Sequence, residues 1–480
     1  MQRQTLFAFL LTVLSLPLYA IDLPDIGAST DTALSPIEEQ RLGDSAMRQL
    51  RREVEVIDDL EINNYINALG NNLAAVSDMP EQRFTFFVVK SPIINAFAIP
   101  GGYIGIHSGL ILQTQDEGEL ASVIGHEIAH VTQRHIARSI ETAGKFSLPA
   151  MAAMIAGMIV ATKNPEIGQA AVATIAAGNI QMQINFTRVH EQEADRVGMQ
   201  ILSAAGFDPR SMPAFFEQLQ NSSRYYGTEV PEFLRTHPVT TSRIAESRDR
   251  AEQYPKHVVT NNPLYHLMRA KLLVVTDNNP RDLLKKLQKN LTEGRFRDER
   301  AVHYALALTL LKSQQIEGIQ AHIDWLLKHD TDRVAYHLLQ ADLALLQNKP
   351  AVALQLYEQA LTIYPADQLL GIRFAETLLR QGQAAKAKTI LLTLSSTGNN
   401  PYYYRLLAQA YQDTGSPAEA GLTLAENLYL QGKTQLALAQ LKQVSRLPDL
   451  SPYLNARITE RYSELETEFE AEKEAEKEAH

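Results

Sequence analysis

The chain has 480 residues, 45% of them hydrophobic, 21% charged and 7% aromatic, which is enough apolar content for two or three packed domains and too little for a polytopic membrane protein. Its formal net charge of −10, with no basic cluster, argues against nucleic acid as a partner, and it does not favour an anionic membrane face. Cysteine is absent, so disulfides, thiolate metal ligands, a cysteine nucleophile and a lipid attached through cysteine are excluded as well.

Residues 1–20 read as a secretory leader: Arg3 precedes an apolar run from Leu6 to Leu18, and Ala20 is a plausible cleavage point. Leu18 is larger than the residue preferred three positions before a cleavage site, which leaves an uncleaved anchor as the alternative. Helices are expected from Ser35 to about Leu60 and over 61–76, where Ile62, Ile66, Leu69 and Leu73 recur at helical spacing. Phe84 to Val89 reads as a strand. Pro100, Gly101 and Gly102 then separate two short β-like pieces, so a hairpin with an exposed edge is expected there.

The spacing predicts one helix over 116–139, containing HEIAH. The uncharged stretch 146–162 lies at the short limit for a membrane span and contains Pro149 and Gly157, so a helix covering a cleft fits it better than a span. A second Ala-rich helix is expected over 165–178, and another over 189–204, stopped by Gly206 and Pro209. Beyond Asn262, Ala307, Ala341, Ala375 and Ala408 recur at spacings of 34, 34 and 33, with Ala353, Ala387 and Ala420 in phase on partner helices and Gly382 or Gly415 between them. That is the period of tetratricopeptide repeats, in which small residues let paired helices approach closely. The copy from Arg333 to Asp367 resembles that family most clearly, and the tyrosines at 402–404 and 225–226 are read as packing at helix interfaces. Residues 464–480 hold eight glutamates against Lys473 and Lys477, which predicts a solvated, fraying helix.

Four residues apart on a helix, His126 and His130 can aim both imidazoles at one ion, with Glu127 directed at the water beside it. A catalytic zinc needs a third protein ligand and an open position, and Glu127 would serve as general base. Glu191, in the helical run HEQEAD, is the candidate third ligand. Asp195, one turn on, would orient a ligating imidazole. Glu193 and His190 are read as solvated or packing residues, and His107 as structural. His237, before a proline and between helical stretches, is either a fourth ligand that holds the site latent or a hydrogen-bonded structural histidine. The strand edge at Asn95, Ala96, Phe97 and Ala98 either adds a substrate strand or merely shields the cleft. The residue that stabilises the oxyanion is not identified by the sequence, Arg243 and nearby histidines or tyrosines being the candidates.

HEIAH, HEQEADRVG and NAFAIPGGYIGIHSGLI together resemble the gluzincin peptidases that include the prenyl-protein and heat-shock membrane proteases. The resemblance covers essentially all of the chain beyond the leader and implies zinc on His126, His130 and Glu191 with Glu127 as base. With the leader and the repeats, it further implies a periplasmic role in quality control of outer-membrane proteins. Unfolded or stalled β-barrel proteins would be clients, and the repeats would contact the barrel-assembly machinery. The expected architecture is mainly α: a leader (1–20), an α+β zincin domain with a small β-element (21–260), an α-solenoid of tetratricopeptide repeats (261–465) and a charged tail (466–480), with one zinc ion, no nucleic acid and at most peripheral membrane contact. The rival expectations are a chaperone or adaptor with a silenced metal site, and a membrane-embedded protease, for which the chain has too few long apolar stretches.

Overall fold

A computed structural model describes residues 34–143, 188–226, 231–256, 262–394 and 400–478, with helical positions 151–153, 155, 157 and 159 between them. The expected leader, the expected helix at 165–178 and much of 146–162 lie outside the described residues. Among the described residues no helix is long and apolar enough to cross a membrane.

The described residues open with α1 (Pro36–Glu53), started by a reciprocal cap in which Ser35 Oγ accepts from the Glu38 amide and the Glu38 carboxylate accepts from the Ser35 amide. Asp59 caps α2 (Leu60–Ala74) through the amides of Glu61 and Ile62. A three-stranded sheet follows, made of β1 (Thr85–Val89), β2 (Ala96–Ile99) and β3 (Tyr103–His107) in the order β1-β3-β2. β1 runs parallel to β3, and β2 runs antiparallel to it. The expected hairpin is therefore β2–β3, turned by Pro100–Gly102, where Gly101 (φ 77°) and Gly102 (φ 81°) occupy the left-handed region that side chains disfavour.

The two outer edges of this sheet differ. On β1, the Asn67 side chain donates to Phe86 O (2.9 Å) and accepts from Phe86 N (3.2 Å), and the Ile57 amide donates to Val88 O (2.8 Å). Those contacts occupy the bonds an added strand would use, which leaves β2 as the edge with its backbone turned outward.

After α3 (Ser108–Gln113), Asp116 caps α4 (Glu117–Thr132), whose residues are buried almost all round. The helix expected to run to Ser139 stops six residues earlier, at Gln133, and α5 (His135–Ala143) starts in a new direction. Arg134 makes the break at φ 53°, held there by its guanidinium on Glu39 (2.8 Å) and on Leu34 O (2.6 Å). No glycine or proline marks this stop, so the local pattern predicts a continuous helix. α6 (Arg188–Ala204) crosses α4 where Gly125 faces Gly198, and a Cβ on Gly198 would lie 3.1 Å from His126 N. It ends at Gly206 (φ 86°), as expected. α7 (Ser211–Tyr226), α8 (Glu232–Thr236) and α9 (Thr241–Ala251) complete the unit. The described positions within 146–162 belong to a buried helical stretch: Met151, Ala152, Ile155 and Ile159 pack with Leu42, Leu50, Ile99 and Tyr103.

The rest is helical pairs, from α10 (Pro263–Thr276) and α11 (Pro280–Thr292) through α12 (Glu299–Lys312), α13 (Ile319–His329), α14 (Val334–Leu346), α15 (Pro350–Ile363), α16 (Gln368–Arg380), α17 (Ala384–Thr393), α18 (Pro401–Asp413), α19 (Pro417–Leu430) and α20 (Thr434–Val444) to α21 (Pro452–Glu478). The periodic alanines of both helices are buried. Turns within pairs use the left-handed region at Gly382 (φ 71°) and Gly415 (φ 72°), and at Gln314 and Asn348 (both φ 56°), which stand at the corresponding position of two earlier turns. Tyr402 to Tyr404 pack at a repeat interface, and Tyr403 donates to Leu391 O.

One continuous core runs from Ile57 through the sheet, α4, α6 and α7 into Tyr265, Tyr304 and Leu343 of the first repeats. Lys271 on α10 pairs with Asp59, the cap of α2, and with Glu61 in its first turn, and Tyr304 donates to Glu61 (3.0 Å). The last repeats return to α1, where Arg48 donates to Tyr429 Oη (2.7 Å) and pairs with Glu468 (3.2 Å). The acidic tail is thus not wholly solvated: α21 is continuous to Glu478, and Glu468 is bound at the first helix. A cavity of about 1090 Å³ opens between α1, α2, β1 and the repeats, lined by Arg48, Arg51, Asn67, Arg83, Tyr404 and Glu426 among others.

Candidate metal centre

α4 presents His126 and His130 on one face, α6 presents Glu191, and the turn after α8 presents His237; each has a ligand atom within 4.8 Å of every other, and all four are buried. His126 Nε2 lies 3.0 Å from His130 Nε2, 3.4 Å from His237 Nδ1 and 3.6 Å from Glu191 Oε2. Glu191 Oε1 lies 3.5 Å from His130 Nε2 and 3.0 Å from His237 Nδ1. Four donors at about 2.0–2.1 Å around a tetrahedral ion are separated by about 3.3–3.4 Å, so the spacing and the set of three imidazoles and one carboxylate fit zinc.

Charge in the pocket also suits a cation. Burial alone would raise Glu191, but His237 and the bond to His126 hold its carboxyl well below the usual range. Burial opposes a charge on His126, yet Asp195 and Glu191 lift its pKa to about 10, and a field that favours a proton there equally favours a divalent ion. His130 is driven well below its ordinary value by burial and by His126, which leaves it neutral, the form in which an imidazole is a ligand.

Glu127, fully buried, has its carboxyl raised by burial against the pull of His237 and His126, and lies 3.5 Å from His237 Nε2. The backbone amide of Ala98 on β2 faces the same carboxylate. In the antiparallel register of β2, His107 N donates to Asn95 O (3.0 Å), so Ala96 and Ala98 are the residues whose backbone groups point away from β3, and Ala98 is the one that faces Glu127. Asn95 is buried and its side chain takes Thr236 Oγ1 at 3.4 Å, while Ile94 O accepts the Phe233 amide (3.0 Å). The segment carrying His237 is therefore seated at one end of the strand edge. His107 ends β3 with its ring edge-on to Phe97, apart from the four donors.

Asp195 Oδ1 lies 3.0 Å from His126 Nδ1, on the side of the ring away from the cluster. Arg243, assigned from sequence as an oxyanion candidate, is engaged otherwise: its guanidinium holds both Asp195 oxygens at 2.8 Å and Glu191 Oε2 at 2.8 Å, and donates to Pro238 O (2.9 Å). It orients the two carboxylates and ties the His237 turn to them. Glu193, expected to be solvated, instead pairs with His135 (3.1 Å) and Arg138 (3.1 Å). Nothing in the sequence marks His135, because its place beside His130 depends on the break at Arg134.

Residues 61–251 match the model of peptidase family M48, and residues 344–410 match a tetratricopeptide repeat. The chain is 33% identical over 436 residues to the beta-barrel assembly-enhancing protease of Escherichia coli (strain K12), covering 91% of this chain and 89% of the relative. Its Vibrio cholerae counterpart is 36% identical over 442 residues, covering 91% and 90%. The mitochondrial metalloendopeptidase OMA1 of Arabidopsis thaliana is 30% identical over 222 residues, 46% of this chain and 43% of the relative.

Proposed function

The chain belongs to the family of the beta-barrel assembly-enhancing proteases, M48 metallopeptidases with tetratricopeptide repeats, and from that premise we propose that it is a periplasmic zinc endopeptidase that degrades misassembled outer-membrane proteins and assists their assembly. The observation that carries this reading is the convergence of His126, His130, Glu191 and His237 beside the buried carboxylate of Glu127.

His126, His130 and Glu191 would hold the ion, and Asp195 and Arg243 would keep His126 and Glu191 in place. Zinc, when bound, supplies a Lewis acid that brings the pKa of a water close to neutrality. Glu127, its carboxyl already raised by burial, would act as the general base that takes a proton from an attacking water and returns it to the leaving amine. The β2 edge at Asn95 to Ala98 would hold the substrate as an added strand through main-chain bonds, which suits an enzyme that cuts unfolded chains with little regard for side chains. His237 occupies the fourth donor position, so the resting enzyme would be closed until its turn moves away. The repeats and the cavity they enclose with α1 and α2 would position clients or dock on the barrel-assembly machinery.

Purified full-length protein loaded with zinc should cleave an unfolded outer-membrane β-barrel protein. Glu127→Gln should slow cleavage about 10²–10⁴-fold while zinc content stays unchanged. A second reading, an adaptor with a silenced metal site, draws on the same fourth donor at His237. It is favoured if the wild type cleaves nothing and Glu127→Gln still supports barrel assembly in cells as well as the wild type.

A further inference from the structure

His130 uses its two ring nitrogens in opposite directions. Nε2 faces His126 and Glu191 in the donor cluster, whereas Nδ1 lies 2.8 Å from Nδ1 of His135. His135 is fully buried, and the ring of His190 stacks on it at 4.4 Å with an interplanar angle of 14°. Its other nitrogen, Nε2, lies 3.1 Å from Glu193 Oε2, which Arg138 also holds at 3.1 Å.

The direction of every hydrogen along this line follows from the chemistry of its end. A carboxylate held by an arginine accepts only, so His135 Nε2 carries the hydrogen. A neutral His135 then has a bare Nδ1, which can only accept, and His130 Nδ1 must donate to it. What remains is a lone pair on His130 Nε2, aimed at the cluster. His126 reaches the same state by a shorter route, since its Nδ1 faces Asp195 directly and Arg243 holds that carboxylate.

We propose that His135, backed by Glu193, is a positioning residue of the metal centre: it accepts the Nδ1 hydrogen of His130 and thereby locks that ring in the tautomer and orientation that offer Nε2 to the ion. The inference rests on the metal-binding reading of the cluster and deepens it. The two ligating imidazoles of α4 are thus held from behind by different devices, a carboxylate for His126 and a histidine-to-carboxylate relay for His130. The break at Arg134 is what brings the relay into reach, because a continuous helix would carry His135 around to another face.

The test measures zinc affinity by chelator competition, together with the visible absorption of the cobalt-substituted protein, on full-length wild type and three variants. His135→Phe keeps ring volume without an acceptor and should weaken zinc binding about 10–100-fold and alter the cobalt bands. His135→Asn places Oδ1 near the position of Nδ1 and should recover most of the affinity. Glu193→Ala frees His135 to adopt the other tautomer and should weaken binding by a smaller factor, about 3–10-fold. Wild-type affinity in a folded His135→Phe protein would overturn the inference, as would an Asn variant as weak as the Phe variant. Should the Phe variant fail to fold, unchanged affinity in Glu193→Ala, at a partly exposed residue, overturns it instead. A wild-type chain that binds no stoichiometric zinc would overturn the reading of the centre itself.

Discussion

His237 lies 3.0 Å from Glu191, 3.4 Å from His126 and 3.5 Å from Glu127, within reach of both the proposed ligands and the proposed base. Removing it would leave three protein donors and one position for water, the arrangement of catalytic rather than structural zinc sites. His237→Ala is therefore expected to raise cleavage of an unfolded substrate about tenfold or more with zinc content unchanged, and equal or lower cleavage would contradict the latch. Much of this site is legible in sequence because helical spacing alone sets His126 beside His130 and Glu191 beside Asp195. The contacts of Arg243, Glu193 and His135 are not legible there, since their partners are chosen by packing between helices distant in sequence. A run such as HVTQRH gives no sign that its last histidine turns back toward its first.

At the level of elements, the α4–α6 crossing sets the geometry of the proposed ligands. Gly198 opposite Gly125 lets the two backbones approach, and a Cβ at 198 would meet His126 N at 3.1 Å and the Gly125 carbonyl carbon at 3.2 Å. Gly198→Ala is expected to destabilise the fold by about 1–3 kcal/mol and to lower zinc affinity, because it pushes Glu191 away from His126. Thermal melting and zinc titration check both effects. In the repeats, burial would raise the Asp330 carboxyl, but bonds from Arg333, Tyr336 and the Thr331 amide hold it well below the usual aspartate range. A depressed carboxyl contributes stability above its unfolded pKa of about 4 and loses it as pH falls through the folded value. Asp330→Asn should thus lower the melting temperature at neutral pH, with the difference from wild type shrinking as the pH drops below about 4. A difference that is constant with pH would contradict this linkage. The helical pairs were readable from the alanine period, and the earlier turns were less so because Gln314 and Asn348 fill a left-handed position usually given to glycine.

For the whole molecule, the peptidase unit and the first repeats share one core, and the last repeats clasp α1 through Arg48, Tyr429 and Glu468. The sequence carries the order of the units but not this closure, because the contacts join residues some 380 positions apart. Lys271 bridges the peptidase and repeat units through Asp59 and Glu61, with Glu61 buried. Lys271→Met would leave Glu61 buried without its cation and is expected to cost about 3–5 kcal/mol, read as a lowered melting temperature and faster amide exchange in α2 and α10. The central claim, one zinc ion held by His126, His130 and Glu191 and closed at rest by His237, is tested most directly by X-ray absorption at the zinc edge of the resting full-length protein. One zinc per chain is expected, with three imidazole nitrogens and one carboxylate oxygen at about 2.0–2.1 Å, and with two imidazoles in His237→Ala. Substoichiometric zinc, or a shell that does not change when His237 is removed, would contradict it.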